Sequence, residues 1–114
     1  MDKAYFQQLY DYTYWADRKV WACVMTLSEQ QYRQDIDFSV GPINVQCVHM
    51  LAVEYWWIHF LRTGELDFVG DIYDQSRDEV RARWDAVERE VRAYIDALTS
   101  EELQRPVKPS FWDP

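Results

Sequence analysis

The sequence has only three glycines, and it contains no internal repeat and no low-complexity tract. Hydrophobic residues make up 48% of the chain and charged residues 28%, a composition that excludes a disordered protein and is typical of a globular one. A chain of 114 residues is long enough for one core and too short for two. We therefore predict a single domain over residues 1–114.

Positive charge is also scarce. Twelve Lys and Arg residues stand against twenty Asp and Glu residues, which gives a formal net charge of −8. Nucleic acids and anionic membranes are polyanions that bind clustered Lys and Arg, so we expect neither as a partner. The N-terminus lacks the basic start and apolar run of a signal peptide, and no stretch approaches the roughly 18 apolar residues of a membrane span. These absences predict a cytoplasmic protein.

The chain has only two cysteines, Cys23 and Cys47, and they do not form a CxxC pair. Both lie in apolar helical patterns, so we predict two buried thiols in a reducing compartment, with a disulfide or a metal role as the alternatives. The sequence also lacks a glycine-rich phosphate loop, a GxSxG motif and a Cys next to a His at catalytic spacing. These absences disfavour the common nucleotide-binding and nucleophilic enzymes.

What the chain does have is helical periodicity in three segments. The spacing of apolar residues predicts helices over about residues 2–27, 43–63 and 76–99. Gly64 is a natural C-terminal stop for the second helix, and the capping box SRDE that begins at Ser76 opens the third. We predict no regular helix after residue 100, because three prolines follow it.

Each predicted helix has one apolar face, and Glu54 is the single charge on the second. Trp84 is expected in the core, at the centre of the third face. The predicted faces are, in chain order, Phe6, Leu9, Thr13, Ala16, Val20, Cys23 and Leu27; Ile43, Cys47, Met50, Leu51, Glu54, Ile58 and Leu61; and Val80, Trp84, Val87, Val91, Tyr94, Ile95 and Leu98. The remaining side of the third helix is charged and is expected to be a salt-bridged solvent face that includes Asp85, Glu88, Glu90, Arg81, Arg83, Arg89 and Arg92.

Three such helices predict an all-α fold, an antiparallel up-and-down helical bundle. A bundle of three long helices leaves one side of its core open. Aromatic residues make up 17% of the chain, more than one narrow core can hold, and Tyr12, Trp15, Trp56 and Phe60 are expected to line the open strip. We therefore expect a homodimer or a higher homo-oligomer.

Four motifs in order give the chain a wider resemblance: YTYWADRKV (residues 12–20), LSEQQY (27–32), FSVGPI (38–43) and HMLAVEYWW (49–57), followed by Gly64. The set resembles the DinB-like metal-binding bundles. That resemblance implies a four-helix bundle, commonly dimeric, with a divalent metal such as Zn or Ni held by three histidines. It matches His49 to the second-helix ligand. The other two ligands belong to an HxxxH pair in a later helix, and here no histidine follows His59.

His49 is therefore either the surviving metal ligand or a hydrogen-bonded core or groove histidine. His59 projects about 80° away from it around the helix, so the two cannot chelate one ion, and His59 is expected at the surface or an interface. Asp11 and Asp17 are weighed as replacement ligands, but carboxylates on helices are more often solvated or paired with Lys or Arg. The fourth helix that the resemblance implies has no counterpart in this sequence. We therefore expect the chain to be either a fragment of a longer protein or a natural short form.

Two functions remain open. One, implied by the resemblance, is a metal-dependent thiol transferase or hydrolase whose site is incomplete in this chain. The other is a non-catalytic helical module that dimerises, or that binds an apolar small molecule or a small thiol.

Overall fold

The computed structural model describes residues 1–112. Helices dominate this part of the chain, as the periodicity predicts. Three helices are long and two are single short turns. In chain order they are α1 (Lys3–Val24), α2 (Glu29–Arg33), α3 (Ile43–Thr63), α4 (Arg77–Asp96) and α5 (Ser100–Gln104).

Local capping sets the ends of these helices. The Asp2 side chain accepts a hydrogen bond from the backbone N–H of Tyr5 at the start of α1, and Ser76 accepts one from Glu79 at the start of α4. Such caps satisfy backbone donors that the first helical turn leaves free. Gly64 ends α3 in the left-handed conformation, at φ 76°. The predicted boundaries are confirmed to within a few residues.

Helix α4 is the central helix, and it packs against both α1 and α3. α1 is antiparallel to α4, since Lys3 bonds to Asp96 near one end and Arg77 bonds to Val24 near the other. α3 instead runs parallel to α4. Glu54 pairs with Trp84, and further along both helices Arg62 pairs with Glu90. The all-α bundle is confirmed, but the predicted up-and-down order, in which successive long helices are antiparallel, does not hold for α3 and α4.

A crossover segment, residues 64–76, makes the parallel arrangement possible. In extended form it reaches roughly 40 Å, more than the roughly 30 Å length of α4. The backbone carbonyl of Tyr73 accepts hydrogen bonds from Arg33 (2.7 Å) and Asn44 (3.1 Å), and Ile72 is buried beside α3 and α4. The segment is therefore packed along the bundle instead of forming a short hairpin connection.

The core has two parts, one toward each end of the bundle. The part near the α2 end contains Trp21, Val24, Tyr32, Cys47, Val48, Leu51, Ile72, Val80 and Trp84. The part near the C-terminal end of α4 contains Tyr14, Ile58, Val87, Val91 and Ile95. Trp84 is 1% exposed, which confirms its predicted core position. The predicted face of α4 is also confirmed, because five of its members are buried and Tyr94 and Leu98 are half-buried.

The face predicted for α1 is wrong by about one residue of rotation. Its buried residues are Tyr14, Asp17, Trp21 and Val24, whereas Leu9 and Val20 from the predicted face are 43% and 52% exposed. The physical reason is size and hydrogen bonding. Burying two large aromatic rings removes more apolar surface from water than burying Leu and Val, and the Tyr14 hydroxyl finds a partner inside the bundle.

Three smaller predictions are also corrected. Cys47 is buried as predicted, but Cys23 is exposed, because it shares the misassigned side of α1. A helix does follow residue 100: α5 fits before Pro106 and is capped by the Thr99 side chain. Glu88 is not on the solvent face of α4; it is 7% exposed, because two arginines draw its carboxylate into the interface with α1.

Within residues 1–112, no helix combines the length and the apolar character needed to cross a membrane.

Candidate functional site

A cavity of about 470 Å³ lies between α1, α3 and α4 and beneath the segment that contains α5. Its wall is largely apolar and aromatic. The apolar lining consists of Phe6 and Tyr10 from α1; Val53, Trp57, Ile58 and Leu61 from α3; Val91, Tyr94 and Ile95 from α4; and Leu98, Leu103 and Val107, which follow α4 in the chain. Three charged residues complete it: Glu54, Glu102 and Arg105.

The cavity follows from the helix arrangement. α1 and α3 both pack on α4, so the space between them is lined by side chains from three helices. At the middle of the bundle the Tyr14 hydroxyl donates a hydrogen bond to Glu54 Oε1 across 3.0 Å and joins α1 to α3. Trp84 Nε1 donates to Glu54 Oε2 across 2.9 Å and joins α4 to the same carboxylate. The Glu54 carboxylate therefore connects the three long helices at the inner wall of the cavity.

Glu54 is a half-buried carboxylate with neutral donors. Burial raises its pKa above the ordinary value, and the hydrogen bonds from Trp84 and Tyr14 oppose that shift without cancelling it. Asp17 and Glu88 lie close enough to raise the pKa further through their own negative charge. The pKa of the Tyr14 hydroxyl is also raised, first by burial and then by Glu54.

A second carboxylate, Glu88, has the opposite environment. Burial alone would raise its pKa, but Arg18 and Arg92 donate hydrogen bonds of 2.8 and 2.9 Å to it, and the pKa lies below the ordinary value. Arg92 also pairs with Asp11 across 2.6 Å. This network lies between α1 and α4 beside Tyr14, whose ring lies beneath the Arg92 guanidinium.

Asp17 lies next to this network on α1 and is 8% exposed. Burial raises its pKa, and the nearby Arg81 and Arg18 act in the lowering direction. Its carboxylate is thus within the electrostatic influence of both Glu54 and Glu88. The prediction that Asp11 and Asp17 are solvated or paired is confirmed for Asp11, whereas Asp17 is buried.

The mouth of the cavity carries its own ion pair. Arg105 bonds to Glu102, and a second nitrogen of the same guanidinium donates to the backbone carbonyl of Leu61 across 3.0 Å. The Tyr94 hydroxyl donates to Glu102 across 2.8 Å. These bonds attach α5 to α3 and α4, and they leave the charges at the mouth satisfied by one another.

The two histidines lie away from this cavity lining. His49 is exposed on α3, so it is not a core histidine. His59 is half-buried one helical turn from Tyr55, against whose ring it stacks with the centroids 5.7 Å apart. In the described part of the chain, residues 1–112, no group of three or more His, Cys, Asp or Glu side chains is placed to hold a metal ion. The residues described here therefore do not fit the three-ligand metal centre that the resemblance implies.

Burial affects the cysteines unequally. Cys47 lies in the core, and burial raises the pKa of its thiol to about 11. A thiol with that pKa is almost wholly protonated at neutral pH and is a poor nucleophile. Both cysteines are free.

Sequence reasoning missed most of the polar site. The sequence marked Glu54 as the single charge on an apolar helix face, but it assigned that carboxylate no partner. Tyr14 was missed because the predicted apolar face of α1 did not include it. Trp84 was expected only as a core residue, and its indole N–H gave no indication of which acceptor it would meet.

Comparison with known proteins bears on the identity of this bundle. The family model described as DinB family matches residues 1–113. The chain belongs to the DinB family. Its motifs and its helical bundle are thus features of a DinB-family protein. Comparison of this DinB-family chain with curated proteins and with solved structures gave no match.

Proposed function

We propose that this DinB-family protein is a small-molecule-binding module that holds an apolar ligand in the cavity between α1, α3 and α4. The observation that carries the proposal is the cavity itself. Its volume of about 470 Å³ is within the range of roughly 300–1,000 Å³ that ligand sites occupy. An apolar wall with a few fixed polar groups is the usual composition of such sites.

The polar groups support a binding role because they are already in place. Glu54 is held by two hydrogen bonds from two different helices, and the pair of Glu102 and Arg105 holds α5 over the cavity. Pre-organised groups reduce the entropy that a site loses when a ligand binds. A ligand entering here would mainly gain free energy by taking its own apolar surface out of water.

Calorimetric titration with octan-1-ol tests the proposal, since that probe is apolar, uncharged and small enough for the cavity. We expect saturable binding by the wild-type protein. Val53→Phe places a larger side chain in the cavity wall and should weaken binding at least about tenfold. Val20→Phe makes the same chemical change at an exposed position of α1 and should leave the affinity unchanged. No binding by the wild type, or equal binding by both variants, would contradict the proposal.

A metal-dependent thiol transferase or hydrolase is the second candidate, and membership of the DinB family is what favours it. Its one candidate ligand among the described residues is His49. Titration with Zn²⁺ or Ni²⁺ tests it, with His49→Ala as the variant and His59→Ala as the matched control. Binding that is lost with His49 alone would support this function, and binding unaffected by either variant would remove His49 from it.

We also propose a cytoplasmic location. The free thiols Cys23 and Cys47 support it, because unpaired cysteines are typical of reducing compartments.

A further inference from the structure

The geometry points to a ligand of one chemical class: we infer that the cavity selects an apolar amine, whose ammonium group pairs with the Glu54 carboxylate while its apolar body contacts the aromatic wall. This inference rests on the proposed function and deepens it, because it assigns a charge to the ligand and a role to Glu54.

Within residues 1–112, no cationic side chain donates a hydrogen bond to Glu54. Both of its carboxylate oxygens accept a hydrogen bond, and both donors, the Tyr14 hydroxyl and the Trp84 indole, are neutral. A carboxylate that is partly withdrawn from water is stabilised by a cationic partner, because desolvation of an unpaired charge is costly. Each carboxylate oxygen has two lone pairs, so Glu54 can accept a further hydrogen bond from a ligand.

The electrostatic potential around Glu54 is negative. The charged side chains that act on Glu54 most strongly are Asp17 on α1 and Glu88 on α4, and both raise its pKa as negative charges do. Burial raises the pKa of Tyr10 on the α1 wall of the cavity, and the negative charge of Glu54 raises that pKa further. An ammonium group is attracted by this arrangement, and a carboxylate is repelled by it.

The arginines that line the cavity or contact Glu88 are already bonded to other groups. Arg105 is the one arginine or lysine among the described residues that line the cavity, and it is already bonded to Glu102 and to the backbone of Leu61. Arg18 and Arg92 are bonded to Glu88. These cations therefore have partners of their own and do not neutralise Glu54.

The aromatic wall suits the same ligand. Tyr10, Trp57 and Tyr94 line the cavity together with Glu54. Aromatic rings attract cations through their negative faces, most strongly when water is excluded. An ammonium group would thus gain binding free energy both from the Glu54 carboxylate and from the aromatic rings around it.

The experiment compares three probes of equal chain length: n-octylamine, octan-1-ol and octanoate, titrated into the wild-type protein near neutral pH. We expect the amine to bind at least about tenfold more tightly than the alcohol, the scale of one charge-assisted hydrogen bond, and the octanoate to bind most weakly. Glu54→Gln should remove the preference for the amine and leave octan-1-ol binding in place. Its amide can still accept from Trp84 and donate to the Tyr14 oxygen, so the fold should be retained.

Glu79→Gln is the matched control, because it removes the same charge from an exposed position of α4. It should keep the preference for the amine. Equal wild-type affinities for amine and alcohol, or tighter binding of octanoate, would overturn the inference while leaving the proposed function standing. Failure of all three probes would overturn the proposed function itself. The wild-type comparison decides between these results even if Glu54→Gln does not fold.

Discussion

Two carboxylates at the centre of the bundle, the half-buried Glu54 and the buried Glu88, respond to pH in opposite directions. Burial is the main cause that raises the pKa of Glu54 in the folded state. The stability that this shift contributes is complete at pH values below the pKa of the unfolded state. It is lost as the pH rises through the pKa of the folded state. The pKa of Glu88 is lowered because the hydrogen bonds from Arg18 and Arg92 outweigh burial. Its contribution is present above the unfolded pKa and is lost as pH falls through the folded pKa.

Replacing Glu54 by Gln should therefore change the pH dependence of stability. We expect the variant to gain free energy of unfolding relative to wild type as pH rises above the ordinary carboxylate pKa of 4.5, because it no longer ionises inside the bundle. Denaturant unfolding of both proteins at a series of pH values measures the difference. A difference that stays constant with pH would show that Glu54 does not titrate as described.

Glu88→Gln should have the opposite effect. We expect it to destabilise the protein at neutral pH by about 1.5 kcal/mol, the lower end for hydrogen bonds to a charged group, because Arg18 is 56% exposed and can be rehydrated. The loss should shrink as pH falls, since wild-type Glu88 then becomes protonated too. Glu90→Gln on the same helix is the control, with an expected loss below about 1 kcal/mol, as for an exposed pair. Equal losses from the two variants in denaturant unfolding would contradict the buried network.

Trp84 combines packing with hydrogen bonding. Its ring contacts Trp21 edge-on with the centroids 6.2 Å apart, and its N–H bonds to Glu54. We expect Trp84→Ala to cost about 3–5 kcal/mol, as for other buried large aromatics. Phe38→Ala truncates an aromatic residue that is 71% exposed, and it should cost less than about 0.5 kcal/mol. If the Trp84→Ala variant melted within a few degrees of wild type, Trp84 would not be a core residue of α4.

At the scale of elements, the end of α1 depends on a residue of α4. One Arg77 nitrogen donates to the backbone carbonyls of Val24 and Leu27, at 2.7 and 2.8 Å, at the end of α1 and in the turn that follows it. We expect Arg77→Ala to cost about 1.5–3 kcal/mol in denaturant unfolding. Arg83→Ala, on the exposed side of the same helix, should stay within about 0.5 kcal/mol of wild type. If both variants matched wild type, this contact would not hold the two helices together.

The crossover between α3 and α4 is the other element-scale feature. Its length allowed either a loose hairpin or a return along the bundle, and no local pattern distinguishes these. The return is stabilised by contacts that are distant in sequence, such as Asn44 to the carbonyl of Tyr73 and the burial of Ile72. This is why the parallel direction of α3 and α4 was not predicted.

At the scale of the whole molecule, we propose that the protein is a homodimer. Tyr12 and Trp15 support this, since they are 65% and 55% exposed and their rings lie 5.8 Å apart on the outer side of α1. Removing such surface from water is worth about 25 cal/mol per Å². Trp56 and Phe60, expected on the same strip, are half-buried, and Trp56 contacts Phe68 and Phe111 of its own chain.

Sedimentation at micromolar concentration tests this assembly. We expect a species of twice the 13.8 kDa chain mass, and we expect Trp15→Glu to convert it to monomer by placing a charge in the contact. Phe38→Glu introduces the same charge at another exposed aromatic residue and should leave the dimer intact. A wild-type protein that sediments as a monomer would refute the proposal.

The sequence by itself determined the features that depend on neighbours within about four residues. Ser76 and Gly64 set helix ends through their own backbone geometry, and the regular spacing of Val80, Trp84 and Val87 defined the inward face of α4. Glu54 stood out for the same reason, as a charge on an apolar face. Only the tertiary structure decided which side of α1 is buried, because that choice depends on whether Tyr14 finds an acceptor on another helix. The cavity and the two neutral donors of Glu54 likewise exist only once three helices meet.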